Sequence, residues 1–216
     1  MSRRTGAQKP AGNSRRRQNA RKVRTRQQRM AALAVGIGVL AIFGVVLGLH
    51  FSSTASSPSA DRMGTSRAVG LLAPEGPTFT TASGQRLNVG SLRGKPTLLW
   101  FVTTWCSSCQ AGTQTMAENV SYLQSDGVRV VEVELYGDLG QSGPSIASFG
   151  QQLAGKQYDN PDWTFATASS VMTRTYDPGS YLDIYYLLNT QGRIVYVNGS
   201  PSSTMPNLLA EASKLA

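Results

Sequence analysis

The stretch Leu98-Leu99-Trp100-Phe101-Val102-Thr103-Thr104-Trp105-Cys106-Ser107-Ser108-Cys109-Gln110 decides the fold. Its first half is aliphatic, β-branched and aromatic, as expected of a strand buried on both faces of a sheet. Cys106 and Cys109 follow at once, and Met116 to Leu123 continue with helical rather than strand spacing. The order is strand, dithiol, helix. A cysteine at a helix N-terminus sits among unpaired backbone N–H groups at the positive end of the helix dipole, which favours its thiolate. Three residues further on the helix has turned about 300°. The second sulfur therefore lies on nearly the same face, within bonding reach of the first.

Cys106 and Cys109 are the only cysteines in 216 residues and His50 is the only histidine. A tetrahedral zinc site of Cys and His would lack ligands within one chain. A purely structural disulfide is the alternative to redox chemistry, but closing so short a loop constrains the unfolded chain weakly. The pair reads as redox-active.

Trp105-Cys106-Ser107-Ser108-Cys109 after an apolar strand resembles the active site of the thioredoxin superfamily. Upstream, Phe79-Thr80-Thr81-Ala82-Ser83-Gly84-Gln85-Arg86-Leu87 and Ser91-Leu92-Arg93-Gly94-Lys95-Pro96 resemble the entry to membrane-anchored, extracytoplasmic thioredoxin-like proteins of the TlpA/ResA type, some of which serve cytochrome c maturation. The resemblance runs from about Leu72 to the C-terminus. It implies an α/β thioredoxin-like fold, a central mixed sheet flanked by helices, preceded by a single N-terminal transmembrane helix. It also implies thiol-disulfide exchange without a cofactor or metal. Cys106 would be exposed and react first, and Cys109, more buried, would resolve the mixed disulfide. Trp105 would cover one side of the dithiol and offer an apolar surface to the substrate. The implied partners are cysteine-containing extracytoplasmic proteins and a redox partner that recycles the dithiol.

Two positions depart from the family pattern. Where the family carries a cis-proline facing the dithiol, counting back from Tyr186-Leu187-Leu188 places Asp183. A cis bond before a non-proline residue costs about 3 kcal/mol, so a trans loop of different shape is expected. Asp183 is then either a solvated loop residue or a substrate-side carboxylate whose charge, within about 4–6 Å, disfavours the Cys106 thiolate. Where thioredoxins carry a buried acid on the strand before the dithiol, this chain has Trp100, which accepts no proton. Asp183, or less favourably Glu118, is left as the acceptor for the Cys109 proton.

The remaining chain frames this domain. The formal charge is +9, yet residues 1–29 hold eleven Lys and Arg and no acid, so the rest carries −2. This basic cytoplasmic tail abuts residues 30–49, twenty positions without a charge. As a helix these span about 30 Å, the thickness of a bilayer's hydrocarbon core. That neighbour turns the basic run into a topology signal and away from nucleic acid. The positive-inside rule then places the N-terminus in the cytoplasm and everything after His50 outside, in a single-pass cell-membrane protein. A cleaved signal peptide, with Ser53-Thr54-Ala55 as its small-residue site, is the alternative, although its apolar region would normally be about 7–15 residues.

Residues 50–70 are Ser-rich and read as a flexible linker. Residues 71–216 suffice for one compact domain. A short hairpin is expected over Thr78–Thr81 and Gln85–Val89, strands over Thr97–Val102, Val128–Tyr136 and Trp163–Phe165, and helices from Cys106, Ser145 and Ser169. A closing hairpin of Ile184–Leu188 with Arg193–Val197 and a last helix over Met205–Leu215 complete the thioredoxin order. The function from a different class is a thioredoxin-fold binding or metal-delivery module without turnover. The absence of any histidine after His50 weighs against it. A peroxidase reading is weaker still, for want of a matched arginine.

Overall fold

A computed structural model of the chain describes residues 68–216. The basic tail, the apolar segment 30–49 and nearly all of the linker lie outside the described residues. Among the described residues no helix is long and apolar enough to cross a membrane.

Seven strands form one mixed sheet: β1 (Thr78–Thr81), β2 (Arg86–Asn88), β3 (Thr97–Val102), β4 (Arg129–Glu134), β5 (Trp163–Ala168), β6 (Ile184–Leu188) and β7 (Ile194–Gly199), in the order β2-β1-β5-β4-β3-β6-β7. β3, β4 and β5 are parallel, while β6 runs antiparallel to β3 and β7 antiparallel to β6. The β1–β2 hairpin, expected ahead of the core, is instead the far edge of this sheet, because β1 pairs antiparallel with β5. All six residues of β3 are buried, as its unbroken apolar run requires of a central strand.

Four helices cover the sheet: α1 (Ser107–Ser125), α2 (Ile146–Ala154), α3 (Ser170–Tyr176) and α4 (Pro201–Ala212). Strand alternation sorts the core into two layers. Leu98, Trp100, Val102, Val130, Tyr185 and Leu187 face α1, α2 and α4, meeting Met116, Val120, Leu123, Phe149, Met205 and Leu208. Leu99, Phe101, Val131, Val133, Ile184 and Tyr186 face the other way, toward Met172 and Tyr176 of α3. The connection from β3 through α1 to β4 brings the C-terminal end of the central strand and the N-terminus of α1 to one point on the first layer. That is the end of β3 from which Cys106 follows.

The caps explain where the helices start. Ser145 and Ser169 accept the N–H of Ser148 and Met172 through their side chains, and Pro201 occupies the first position of α4. At the N-terminus of α1 the capping side chain is a cysteine.

Candidate active site

Cys106 is the N-cap of α1, with extended backbone, and its Sγ accepts the N–H of Cys109 at 3.4 Å. Ser108 Oγ lies 3.1 Å from the same sulfur. Both cysteines are free thiols. The hydrogen bond from the Cys109 thiol, together with Ser108 and the backbone N–H groups of the first turn, brings the Cys106 pKa down to about 5 against the opposing effect of burial. The same thiol–thiolate hydrogen bond, then burial, then the Asp183 charge hold Cys109 protonated, far above its ordinary value. One sulfur is poised as a nucleophile at neutral pH while its neighbour stores the proton.

The expected order of exposure holds, with Cys106 at 7% and Cys109 at 0%. Cys106 is nevertheless buried and not exposed as expected. As an N-cap it folds back over the first turn, and the contacts that lower its pKa also cover it.

Beneath the dithiol lies Trp100. Its indole reaches so far under α1 that a Cβ on Gly112 would stand 2.8 Å from its Cζ2, which makes glycine a requirement of the helix's close approach. Its Nε1 donates to Asp183 Oδ1 at 2.9 Å. Asp183 immediately precedes β6, whose Ile184 pairs with Phe101 at the end of β3. Its φ is +53° and that of Leu182 is +57°, both in the left-handed region, and no peptide bond among the described residues is cis. The loop is thus trans and differently shaped from the family's, as expected. Asp183 is 2% exposed, so it is a buried carboxylate and the solvated alternative is excluded. Burial pushes its pKa up to about 7 against the donation from Trp100 and the approach of the Ser108 and Ser200 hydroxyls. The charge effect expected on Cys106 is found on Cys109, where it adds to the hydrogen bond with Cys106 and to burial in keeping that thiol protonated. Glu118 is exposed on α1 and takes no part.

Three further residues of the site were not anticipated from the sequence. Glu132, paired with Trp100 across β3 and β4, is fully buried, accepts from Thr113 Oγ1 at 2.7 Å and Trp163 Nε1 at 3.1 Å, and has its pKa raised by burial to about 8. The sequence did carry a signal for it, an acid on the inward phase of an otherwise apolar strand. Asp138 accepts the Thr104 N–H at 2.8 Å and the Thr104 hydroxyl, while its backbone carbonyl accepts Trp105 Nε1 at 2.8 Å. Gly137, Asp138 and Leu139 all have left-handed φ, a run no sequence pattern announces. They fold the loop after β4 onto the Thr104-Trp105 turn. Trp105 is thereby held by one edge and remains 37% exposed beside the dithiol. Ser108 is the third, through its contact with Cys106.

A cysteine capping a helix, a second, buried thiol in the first turn of that helix and a buried carboxyl group at the head of the neighbouring strand sit together on a thioredoxin-like fold. The chain has a thioredoxin-like α/β fold. The AhpC/TSA family matches residues 69–140. The thiol-disulfide oxidoreductase ResA of Bacillus subtilis is 27% identical over 124 residues, 57% of this chain and 64% of ResA. The soluble secreted antigen MPT53 of Mycobacterium tuberculosis is 44% identical over 41 residues, 19% of this chain and 24% of the antigen. The chain thus spans less than two thirds of either relative. Among solved structures, a SCO1/SenC family lipoprotein from Bacillus anthracis superposes with a TM-score of 0.51 at 18% identity, covering 68% of this chain and 99% of that one, which shows the shared fold.

Proposed function

We propose that this protein is a thiol-disulfide oxidoreductase that exchanges the Cys106–Cys109 disulfide with cysteines of extracytoplasmic partner proteins, tethered to the cell membrane through residues 30–49 with its N-terminus in the cytoplasm. The observation that carries the exchange reading is the asymmetry of the pair, a Cys106 thiol brought to about 5 beside a Cys109 thiol held protonated. The Cys106 thiolate attacks a disulfide, one partner sulfur leaves as thiolate, and a mixed disulfide forms on Cys106. Cys109 then attacks Cys106 Sγ, the second partner thiol leaves, and Cys106 and Cys109 end oxidised while the partner gains two electrons. The reverse sequence oxidises a dithiol partner. A redox partner of its own returns the dithiol to its starting state.

Trp105, held by Asp138 and partly exposed, supplies an apolar surface beside the reactive sulfur. Asp183, though placed by its sequence position on the substrate side, faces inward, so its role in this reading is toward the cysteines. The tether reading is supported by the uncharged segment 30–49 and the eleven basic residues before it.

One experiment addresses exchange and orientation together. In Cys109→Ser the resolving thiol is gone, so mixed disulfides on Cys106 should accumulate with extracytoplasmic proteins, and a membrane-impermeant maleimide should label Cys106 in intact cells. Absence of adducts would remove the exchange reading. Labelling only after permeabilisation would reverse the orientation.

A further inference from the structure

The register of the sheet sets one line of residues across its strands. Val102 at the end of β3 pairs with Glu134 of β4, Glu134 with Thr167 of β5, Thr167 with Thr80 of β1, and Thr80 with Arg86 of β2. Paired residues share a face, and strand alternation makes it the face of Val130, Trp163 and Phe165, the one that α1, α2 and α4 cover. Exposure rises along the line, from buried Val102 through half-buried Glu134 and Thr167 to exposed Thr80 and Arg86. Beside the first turn of α2 the line opens into a groove of about 630 Å³, lined by Glu134, Thr167, Thr80 and Arg86 and flanked by Tyr136.

The groove lies at the end of the sheet that carries the dithiol. Its inner residue, Glu134, pairs with Val102, four residues before Cys106. Tyr136 and Gly137 line it, while the next residue, Asp138, accepts Trp105 Nε1. Its two charges are unpaired. Among the described residues neither Glu134 nor Arg86 forms an ion pair. Arg86 reaches Thr78 Oγ1 at 3.4 Å, and Glu134 accepts from Thr167 Oγ1 at 3.4 Å and from the approaching Ile146 N–H. Burial, and after it the Asp138 charge, raise the Glu134 pKa to about 7. A half-buried carboxyl group with such weak donors gains from a cation laid against it.

We propose that this groove binds an extended segment of the partner polypeptide beside its reactive cysteine, with a basic side chain on Glu134 and an acidic side chain on Arg86. This rests on the thiol-disulfide exchange reading above. The spacing sets the pattern. Three strand steps of about 4.8 Å, from β4 through β5 and β1 to β2, separate Glu134 from Arg86, about 14 Å in all. An extended chain covers that distance in about four residues, and residues four apart point to the same side. Glu134 lies nearer the dithiol than Arg86, so the basic residue comes first from the cysteine and the acidic one about four positions beyond it. The hydroxyls of Thr167 and Thr80, between the two charges, supply donors and acceptors for the segment's main chain.

The test follows capture by the reduced full chain in detergent, with synthetic peptides whose single cysteine is carried as its thionitrobenzoate disulfide. Attack by Cys106 forms the disulfide between peptide and Cys106 and releases thionitrobenzoate, read by its absorbance. One peptide carries lysine and, about four positions further from the cysteine, aspartate, and its control carries serine at both. Each is made in both chain directions, with spacers of about two to six residues between cysteine and lysine. At one spacer at least, the Lys/Asp peptide should react roughly tenfold faster than the control at low salt, and the preference should shrink as salt is added. In Glu134→Gln the ratio of the two rates should fall toward one. Arg86→Glu, at an exposed position, should make a Lys/Lys peptide outrun the Lys/Asp peptide. A ratio near one at every spacer, or a ratio that neither substitution alters, overturns the proposal, while capture of the control peptide leaves the oxidoreductase reading standing. Substitutions that alter only the reduction of oxidised glutathione would assign the groove to a small zwitterion and overturn it as well. If the wild-type chain releases thionitrobenzoate from no peptide, the exchange reading itself falls, and the groove's role with it.

Discussion

At the scale of single residues the site turns on what surrounds one sulfur. The helix terminus was legible from the spacing of Cys106 and Cys109, because a strand ending in an apolar run and a helical pattern beginning after it leave only one place for the cap. Ser107 and Ser108 carried no readable meaning in the sequence. In the folded chain Ser107 points away as an exposed residue, whereas Ser108 brings its hydroxyl within 3.1 Å of Cys106 Sγ. Ser108→Ala removes a group that stabilises the thiolate. The Cys106 pKa should then rise by roughly one unit, read from the ultraviolet absorbance of the thiolate, with the fold unaltered. A titration that does not move would assign the low pKa to the helix terminus and Cys109 alone. Asp183 is the complementary case. Its position opposite the dithiol was legible by counting along β6, but its burial was not, because three left-handed residues, Ser180, Leu182 and Asp183, fold the preceding loop inward.

At the scale of elements the strands and helices were legible wherever periodicity and capping residues agree, as at Thr97–Val102 and after Ser145 and Ser169. The exception is the loop after β4. Its Gly137 and Pro144 announce only a break, while the left-handed turn that aims Asp138 at Thr104 depends on tertiary contacts. The same holds for Gly143, where a Cβ would collide with Thr104 Oγ1. The contact between α1 and β3 can be tested directly. Gly112→Ala forces a methyl to within 2.8 Å of the Trp100 ring, which is pinned by Asp183 and cannot rotate away without losing that bond. The expected cost is about 1–3 kcal/mol, seen as a lower urea midpoint with unchanged slope. An unchanged midpoint would mean that α1 and the indole are not in the close contact described.

At the scale of the whole molecule the buried acids give stability an unusual dependence on pH. Burial raises Asp183 from its ordinary 3.8 to about 7, Glu132 from 4.5 to about 8 and half-buried Glu134 from 4.5 to about 7. Between about pH 4 and 8 the folded chain binds more protons at these sites than the unfolded chain, so their contribution falls as pH rises. Cys106 acts in the opposite sense. Its folded pKa of about 5 lies below the ordinary 9.0, so in the reduced protein stability gains as pH rises from 5 toward 9. The disulfide form lacks that gain. Its urea midpoint should be lower at pH 8 than at pH 5.5, the reduced form should lose less, and Glu132→Gln should flatten the oxidised profile. A rising oxidised profile would contradict the burial of these carboxyl groups.

The redox chemistry of the domain can be measured apart from the basic tail and the apolar segment 30–49. The most direct measurement is an equilibrium titration of the full chain in glutathione redox buffers, with alkylation and peptide mass analysis. Cys106 and Cys109 should convert together between dithiol and disulfide in one two-electron transition, at a potential within the range of roughly −120 to −270 mV spanned by thioredoxin-fold oxidoreductases. In the reduced samples a limiting dose of alkylating agent should mark Cys106 before Cys109. A pair that stays reduced or stays oxidised across the whole range, or a Cys109 that is labelled first, would contradict the assignment of this site.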